Sequence, residues 1–292
     1  MTAARIAADG SHGENAAAPP RRLMAPMLAF SAFGYVLPGL VLVLLSLGAN
    51  RGRVFEFAAL DLSRFQTLLA DAYFLRALAQ TLLLGALVGA LTALLGYPIA
   101  YCLGRSRSRL RHGLFFLALL PMMVGSNMLA LGWLVILGRE GVVNAVLSWL
   151  GIVDQPLRLV FGWPSVVIAL VNDTLAFMVL PIAGVLKSID PALERAARNL
   201  GAGPARTFVT VTLPLSLEGV AAGFLIVFML SLGALVLPMV LGSQSVVVLP
   251  ILIYQQITVA FDPNAASAMA VVLLAVSLAI LFLQLRFFRV RP

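Results

Sequence analysis

Long runs of hydrophobic residues, separated by short polar stretches, make up most of this chain. A continuous apolar run of about 20 residues is long enough to cross the hydrocarbon core of a bilayer as a helix. A closed barrel is the only other structure that spans a membrane, and its strands would show polar residues at every second position. Because the runs are continuous rather than alternating, the pattern predicts an all-α, polytopic membrane protein.

Six of these runs are predicted to be transmembrane spans. They lie at about residues 24–48, 77–101, 114–137, 163–186, 219–241 and 266–286. Before the last span, Asp262 is placed to cap the helix and Pro263 to occupy its first turn. The run at 243–261 contains Pro250 and the polar trio Tyr254, Gln255 and Gln256, so a re-entrant or interfacial helix is predicted there rather than a seventh crossing.

Basic residues are distributed unevenly between the two sides of this predicted topology. If the N-terminus lies inside the cell, most of the 20 basic residues fall in inner segments. The inner set is Arg5, Arg21, Arg22, Arg105, Arg107, Arg109, Arg111, Lys187, Arg195, Arg198, Arg206, Arg286, Arg289 and Arg291. This bias follows the positive-inside rule and predicts that both termini are cytoplasmic. The polar residues 1–22 are predicted to be a disordered cytoplasmic tail, and residues 23–292 to be a single transmembrane domain.

Composition and charge exclude several classes of protein. The chain is 61% hydrophobic and 11% charged, whereas about a quarter of a soluble domain is charged. The formal charge of +8 does not indicate a nucleic-acid partner, because the arginines form no basic face interleaved with aromatic residues. The single cysteine, Cys102, excludes an internal disulfide, and no metal site is predicted.

The segment at 187–216, between predicted spans four and five, is charged and has the pattern of helix, turn and helix. Asp190 is placed to cap the first helix, and Gly201 to end it in a left-handed conformation. Pro204 is predicted to open a second short helix, and Pro214 to mark the entry to span five. A plain connection would need only a few residues, so this order predicts a docking surface for a soluble partner.

The same segment resembles the loop before the penultimate span in the membrane subunits of bacterial ABC importers. That loop has Glu-Ala-Ala, three residues, Gly, nine residues, then Ile, any residue, Leu-Pro. Here Arg195-Ala196-Ala197, three residues, Gly201 and nine residues precede Val211-Thr212-Leu213-Pro214. The departure is the arginine at the first position, with a glutamate one residue earlier. The segments GREGVVNAVL and LSLGALVLPMVLG further resemble the spermidine/putrescine-type subgroup, and the resemblance covers about residues 24–290.

This resemblance implies the type I ABC importer permease fold, located in the bacterial inner membrane. The loop would be a coupling helix seated on a dimer of ATP-binding subunits, which would hold ATP and Mg. A second, non-identical permease subunit and an external solute-binding protein would complete the importer, and membrane lipid would surround it. The implied coupling residues are Glu194, Arg195, Ala196, Ala197, Gly201, Leu213 and Pro214.

The chain itself has none of the groups that an enzyme of this kind would need. Its only lysine, Lys187, lies where a phosphate-binding loop would place one, but Leu186 and Pro181 replace the required glycines. Its two histidines, His12 and His112, fall outside the predicted spans, and no HExxH motif is present. We therefore expect a transport subunit without a cofactor of its own, rather than an enzyme.

One acidic residue, Asp173, lies near the middle of a predicted span, beside Asn172. A charge at that depth is costly and usually faces a cavity or a partner. Asp173 either lines the path of a cationic substrate such as putrescine or spermidine, or makes a structural hydrogen bond. Ser126, Asn127 and Ser231 could line the same path or bond neighbouring helices.

Two further features concern packing and docking. Gly85, Gly89 and Ala93 recur every four residues in span two and would let another helix approach closely, inside the subunit or at a dimer seam. The outer loops at about 51–76, 138–160 and 243–264 would receive the binding protein. Candidate contacts in the second of these loops are Arg139, Glu140 and Asn144.

Three alternatives remain open at the level of sequence. The substrate could be a small solute other than a polyamine. The chain could instead be an ion-coupled secondary carrier, although no clear internal repeat of the kind common in those folds is visible. A membrane-embedded enzyme or receptor is the third reading, which the missing catalytic groups disfavour.

Overall fold

A computed structural model describes residues 21–47, 63–105 and 110–287. Its α-helices are α1 (Arg21–Ser46), α2 (Ser63–Ala70), α3 (Ala72–Arg105), α4 (Leu110–Met123), α5 (Ser126–Ile136), α6 (Val142–Trp149), α7 (Trp163–Ser188), α8 (Pro191–Asn199), α9 (Pro204–Thr207), α10 (Leu213–Leu232), α11 (Val236–Leu241), α12 (Leu249–Thr258) and α13 (Pro263–Phe287). These ranges contain no strand. The all-α prediction is therefore confirmed. The tail predicted at 1–22 lies outside the described residues except for its last two.

Four helical stretches of the described part are long and apolar enough to cross a membrane. They are Ala72–Arg105, Trp163–Ser188, Pro204–Leu232 and Pro263–Gln284. The bent pair α4 and α5 adds a fifth if it is counted as one span, and α1 contains a shorter apolar stretch, Phe30–Ser46. The count of six spans therefore stays a prediction.

The third predicted span, at 114–137, is not one straight helix. Its two halves, Gly113–Met123 and Ser126–Ile136, meet at an angle of 104°. Pro121 lies in the last turn of α4, where it lacks a backbone N–H. Gly125 is extended and begins the second half. The proline weakens the helix just before the bend, so the apolar run folds as two half-helices.

The fifth predicted span, at 219–241, is shifted towards the N-terminus in the structure. Pro204 opens α9 as predicted, but the helix does not stop there: it continues through a π-helical segment at Phe208–Thr212 into α10 and ends at Leu232. Pro214 therefore lies inside the continuous stretch, directly after the widened π turn. The helix ends at Leu232 and α11 begins at Val236. In a continuous helix the ring of Pro238 would clash with the carbonyl of residue 234, which favours this interruption.

The core forms where α3, α7 and α10 pack together. Glycines allow the backbones to approach: a methyl group at Gly223 would come within 3.2 Å of the Cα of Met178 on α7. On α3, a methyl group at Gly85 would lie 3.1 Å from the ring of Phe228 on α10. The small-residue stripe of α3 therefore packs at Gly85 against α10, inside the subunit.

The short apolar run after α11 forms α12, whose ten residues are too few to cross a bilayer. Its start is held by α3, because the N–H of Leu249 donates to Thr81 Oγ1 at 2.8 Å. The N–H of Val247 likewise donates to Gln80 Oε1 at 3.0 Å. After α12, Asp262 Oδ1 accepts the N–H groups of residues 264 and 265 and caps α13.

Candidate coupling segment and substrate cavity

The segment at 187–216, called the coupling segment from here on, has the local geometry that its residue types favour. Asp190 Oδ1 accepts the N–H of Ala192 at 2.8 Å, and Pro191 occupies the first helical position of α8. Gly201 follows the helix with a φ of +83°, a left-handed conformation that costs glycine nothing. The chain then turns through a second glycine into α9.

Helix α8 presents one face to its own subunit and another away from it. Glu194 and Ala197 are partly buried against the rest of the coupling segment. Leu193, Ala196 and Leu200 lie on a neighbouring face and are exposed, with Leu200 at 89% of its accessible surface. A contiguous exposed apolar patch often marks an interaction site, so this face is a candidate docking surface.

Glu194 is directed inward rather than towards solvent. Its Oε1 lies 2.8 Å from Arg105 Nη2 at the end of α3, and both side chains are about 15% exposed. Thr212 Oγ1 donates a hydrogen bond of 2.9 Å to the same oxygen. The carboxylate is thus used inside the subunit, whereas Arg195 is exposed on α8. Leu213 is partly buried and Pro214 exposed, both at the start of α10.

Asp173 lines a cavity of about 580 Å³ between two helix breaks. One break separates α4 from α5 at residues 124–125, and the other separates α10 from α11 at 233–235. The lining residues are Met122, Val124, Gly125, Ser126, Leu170, Asp173, Thr174, Phe177, Leu230, Gly233, Ala234, Leu235, Val236 and Leu237. Among these described residues, Asp173 is the sole ionisable one, so it gives the cavity a negative charge when it is ionised.

The helix breaks give this cavity polar backbone groups as well as a carboxylate. The last carbonyls of α4 and α10 and the first N–H groups of α5 and α11 have no partner within their own helices. Their partial charges are of both signs and offset one another. The net charge therefore comes from Asp173, and the cavity suits a cation with an apolar body.

Comparison with known proteins identifies the family. Residues 94–290 match the model of the family described as "Binding-protein-dependent transport system inner membrane component". The chain belongs to this family.

Individual relatives agree with this permease assignment. The spermidine/putrescine transport system permease protein PotB of Salmonella typhimurium is 34% identical over 198 residues, 68% of each chain. PotB of Haemophilus influenzae is 27% identical over 90% of the permease and 92% of its own length. The molybdenum transport system permease protein ModB of Mycobacterium bovis is 33% identical over 82% of the permease and 87% of its own length.

A solved structure shows the same fold. It is that of a bacterial alginate ABC transporter in complex with an alginate pentasaccharide-bound periplasmic protein. One of its chains matches with a TM-score of 0.74 at 21% identity, covering 92% of the permease and 93% of that chain. Together with the family match, this fold agrees with a multi-pass inner-membrane permease of an ABC importer.

The structure brings together only part of the substrate path predicted for the permease. Ser126 lines the cavity with Asp173, but Asn172 faces a different cavity beside Pro121. Asn127 is exposed outside the Asp173 cavity. Ser231 is buried, and its Oγ donates to the carbonyl of residue 227 at 2.8 Å within its own helix. The transport roles of all five residues stay predictions.

Sequence reasoning missed the two helix breaks that shape this cavity. The sequence does carry a signal for both breaks, since each apolar run contains a proline. Pro121 lies shortly before the first break, and Pro238 lies shortly after the second. In membrane proteins, such interrupted segments often surround binding sites.

In the loop after α5, one predicted contact is corrected. Asn144 is only 2% exposed, so it is not a surface contact. Its Nδ2 donates to the carbonyls of Gly138 and Leu157, and its Oδ1 accepts the N–H of Leu157. It therefore fastens the loop after α5. Arg139 and Glu140 are exposed beside it and stay candidate contacts for the binding protein.

Proposed function

We propose that this permease forms, with a second, non-identical membrane subunit, the translocation path of an ATP-driven polyamine importer. The observation that carries the proposal is the position of Asp173, the one ionisable residue among those lining a cavity between two broken helices. The PotB relatives, named as spermidine/putrescine permeases, support the same substrate class.

The chemistry of the cavity suits a polyamine. Putrescine and spermidine carry ammonium groups separated by short methylene chains. The Asp173 carboxylate would pair with one ammonium group, which compensates part of the cost of placing either charge away from water. Leu170, Phe177 and Leu235 would contact the methylene groups. An acidic polysaccharide, the substrate named for the alginate importer, would be repelled by the same carboxylate.

ATP hydrolysis would drive transport and would take place on a dimer of separate ATP-binding subunits, which would bind ATP and Mg. The exposed apolar face of α8, formed by Leu193, Ala196 and Leu200, would sit in a cleft of one subunit. Arg195 would lie at the rim of this contact, where its charge stays hydrated. Docking on this side would place the coupling segment in the cytoplasm, and six spans would place both termini there as well.

An external binding protein would deliver the polyamine and do most of the selection. The periplasmic protein bound to the alginate transporter supports this arrangement. The exposed Arg139 and Arg158 line a cavity of about 530 Å³, and Glu140, also exposed, follows Arg139 in the chain. This cavity would receive part of the binding protein.

Transport in vesicles tests the proposal. The permease would be co-expressed with its partner subunits, reconstituted and supplied with the binding protein and labelled putrescine. We expect uptake that requires ATP and the ATP-binding subunit. Uptake without either would favour an ion-coupled carrier and contradict the proposal.

Asp173→Asn tests the role of the carboxylate in the same assay. Losing a hydrogen bond between charged groups costs about 1.5–3 kcal/mol, so uptake should fall about tenfold or more. Glu218→Gln is the matched control, because it neutralises an exposed carboxylate outside the cavity. Equal uptake by the two variants would assign Asp173 to packing.

A further inference from the structure

One face of α3 holds the coupling segment, although α3 is distant from it in sequence. Tyr97, Tyr101 and Arg105 follow one another at intervals of four residues, so their side chains lie on the same side of the helix. We call these three residues the α3 grip. All three contact the chain between the end of α7 and the start of α10: the two tyrosines share Phe208, and Arg105 contacts Ile189 and Glu194.

The two tyrosines of the grip enclose Phe208, the first residue of the π-helical segment. Its ring centroid lies 5.8 Å from that of Tyr97 and 5.6 Å from that of Tyr101, edge to face in both pairs. The hydroxyl of Tyr97 also lies 2.8 Å from Ser216 Oγ, in the first turn of α10. Edge-to-face pairs stabilise beyond the area they bury, so both tyrosines help to hold Phe208 against α3.

Arg105 fastens the other part of the coupling segment. Its Nη2 pairs with Glu194 on α8, and its Nη1 donates to the carbonyl of Ile189 at 3.2 Å, where α7 ends. Through Glu194 the same guanidinium is connected to Thr212 in the π-helical segment. Both charged side chains are largely buried, so removing either one leaves an unpaired charge with little water to solvate it.

The α3 grip also spans the position in α3 where a proline weakens the helix. Pro98 lies inside this helix, and a proline there removes a backbone hydrogen bond and favours a kink. Tyr97 contacts the coupling segment before the proline, and Tyr101 and Arg105 contact it after the proline. Bending at Pro98 would therefore pull these contacts apart.

We propose that the α3 grip joins α3 and the coupling segment into one rigid body, so that movement of α8 is transmitted directly to α3. The inference rests on the proposed docking of α8 to an ATP-binding subunit. Arg105 and Glu194 then act as positioning residues. The 34 residues of α3 measure about 50 Å. At its far end, Gln80 and Thr81 hold the start of α12, so the motion would reach this helix too.

Charge exchange tests the grip in the complete importer. Arg105→Gln and Glu194→Gln should leave the ATP-binding subunit co-purifying but lower putrescine transported per ATP about tenfold, as expected for coupled, contacting residues. Arg105→Glu combined with Glu194→Arg should restore most of this ratio. Arg286→Gln is the matched control, because it removes an exposed charge at the end of α13. Unchanged ratios in both single variants, or no recovery in the exchange variant, would overturn the proposal.

Cross-linking tests rigidity without removing the ion pair. After Cys102→Ser, Tyr101→Cys and Phe208→Cys would be joined by a short bifunctional thiol reagent. If the two segments move together, the cross-linked importer should transport at the rate of the same variant without reagent. Loss of transport on cross-linking, with the ATP-binding subunit still bound, would show that the segments slide and would overturn the grip. Failure of the uncross-linked native importer to bind that subunit would instead overturn the proposed function.

Discussion

At the scale of single residues, Gly201 shows why the coupling segment needs its glycine. Its φ is +83°, and a Cβ placed there would meet no atom within 4 Å. The requirement is therefore conformational rather than one of space. Gly203 also has open space around it, but its φ of −66° suits any residue.

Comparing Gly201→Val with Gly203→Val isolates this effect. A left-handed conformation costs a residue with a Cβ about 1–2 kcal/mol, and a β-branched residue more. The first variant should disconnect ATP hydrolysis from transport while membrane insertion is kept, and the second should be near normal. Vesicle uptake and ATPase rates, measured together, check this. Normal transport by Gly201→Val would contradict the docking role of the segment.

For Glu194, the sequence predicts the position in the helix but not the direction of the side chain. Its place in α8 followed from the capping pattern at Asp190 and from the motif spacing. Its direction did not, because the partner that draws it inward, Arg105, is far away in sequence. A motif shifted by one residue rotates a helical side chain by about 100°. Here the carboxylate faces α3, while Arg195 faces outward.

At the scale of elements, close contact between α7 and α10 depends on small residues. A methyl group at Gly219 would lie 2.9 Å from the Cα of Ile182 and 3.0 Å from the carbonyl oxygen of Pro181. Backbone atoms cannot yield as a flexible side chain can. The two helices would have to separate, and the cavity beside Asp173, which both helices line, would change shape.

Gly219→Ala should therefore destabilise the permease by about 1–3 kcal/mol, the usual cost of overpacking a core. Gly184→Ala, on α7, is the control, because a methyl group there meets nothing within 4 Å. Thermal unfolding of the two purified variants in the same detergent gives the comparison. Equal midpoints would mean that the packing is looser than these distances indicate.

At the scale of the whole molecule, the proposed orientation places the coupling segment inside the cell and the loop after α5 outside. After Cys102→Ser, a thiol introduced by Arg198→Cys should be protected from an impermeant maleimide in intact cells. A thiol introduced by Arg158→Cys should be labelled, since both positions are exposed. Labelling at residue 198 from outside would invert the topology and remove the docking proposal.

The sequence by itself determined the all-α membrane class, the left-handed Gly201 that follows α8 and the cap of α13 at Asp262. These features are local, since they depend on the length of an apolar run or on residues within one turn. The tertiary structure alone decided that Asp173 shares a cavity with Ser126 and that Asn172 does not. It also decided that α3 holds both the coupling segment and α12. The physical reason is that a helix apolar on all sides has no periodic pattern to show which face meets which neighbour.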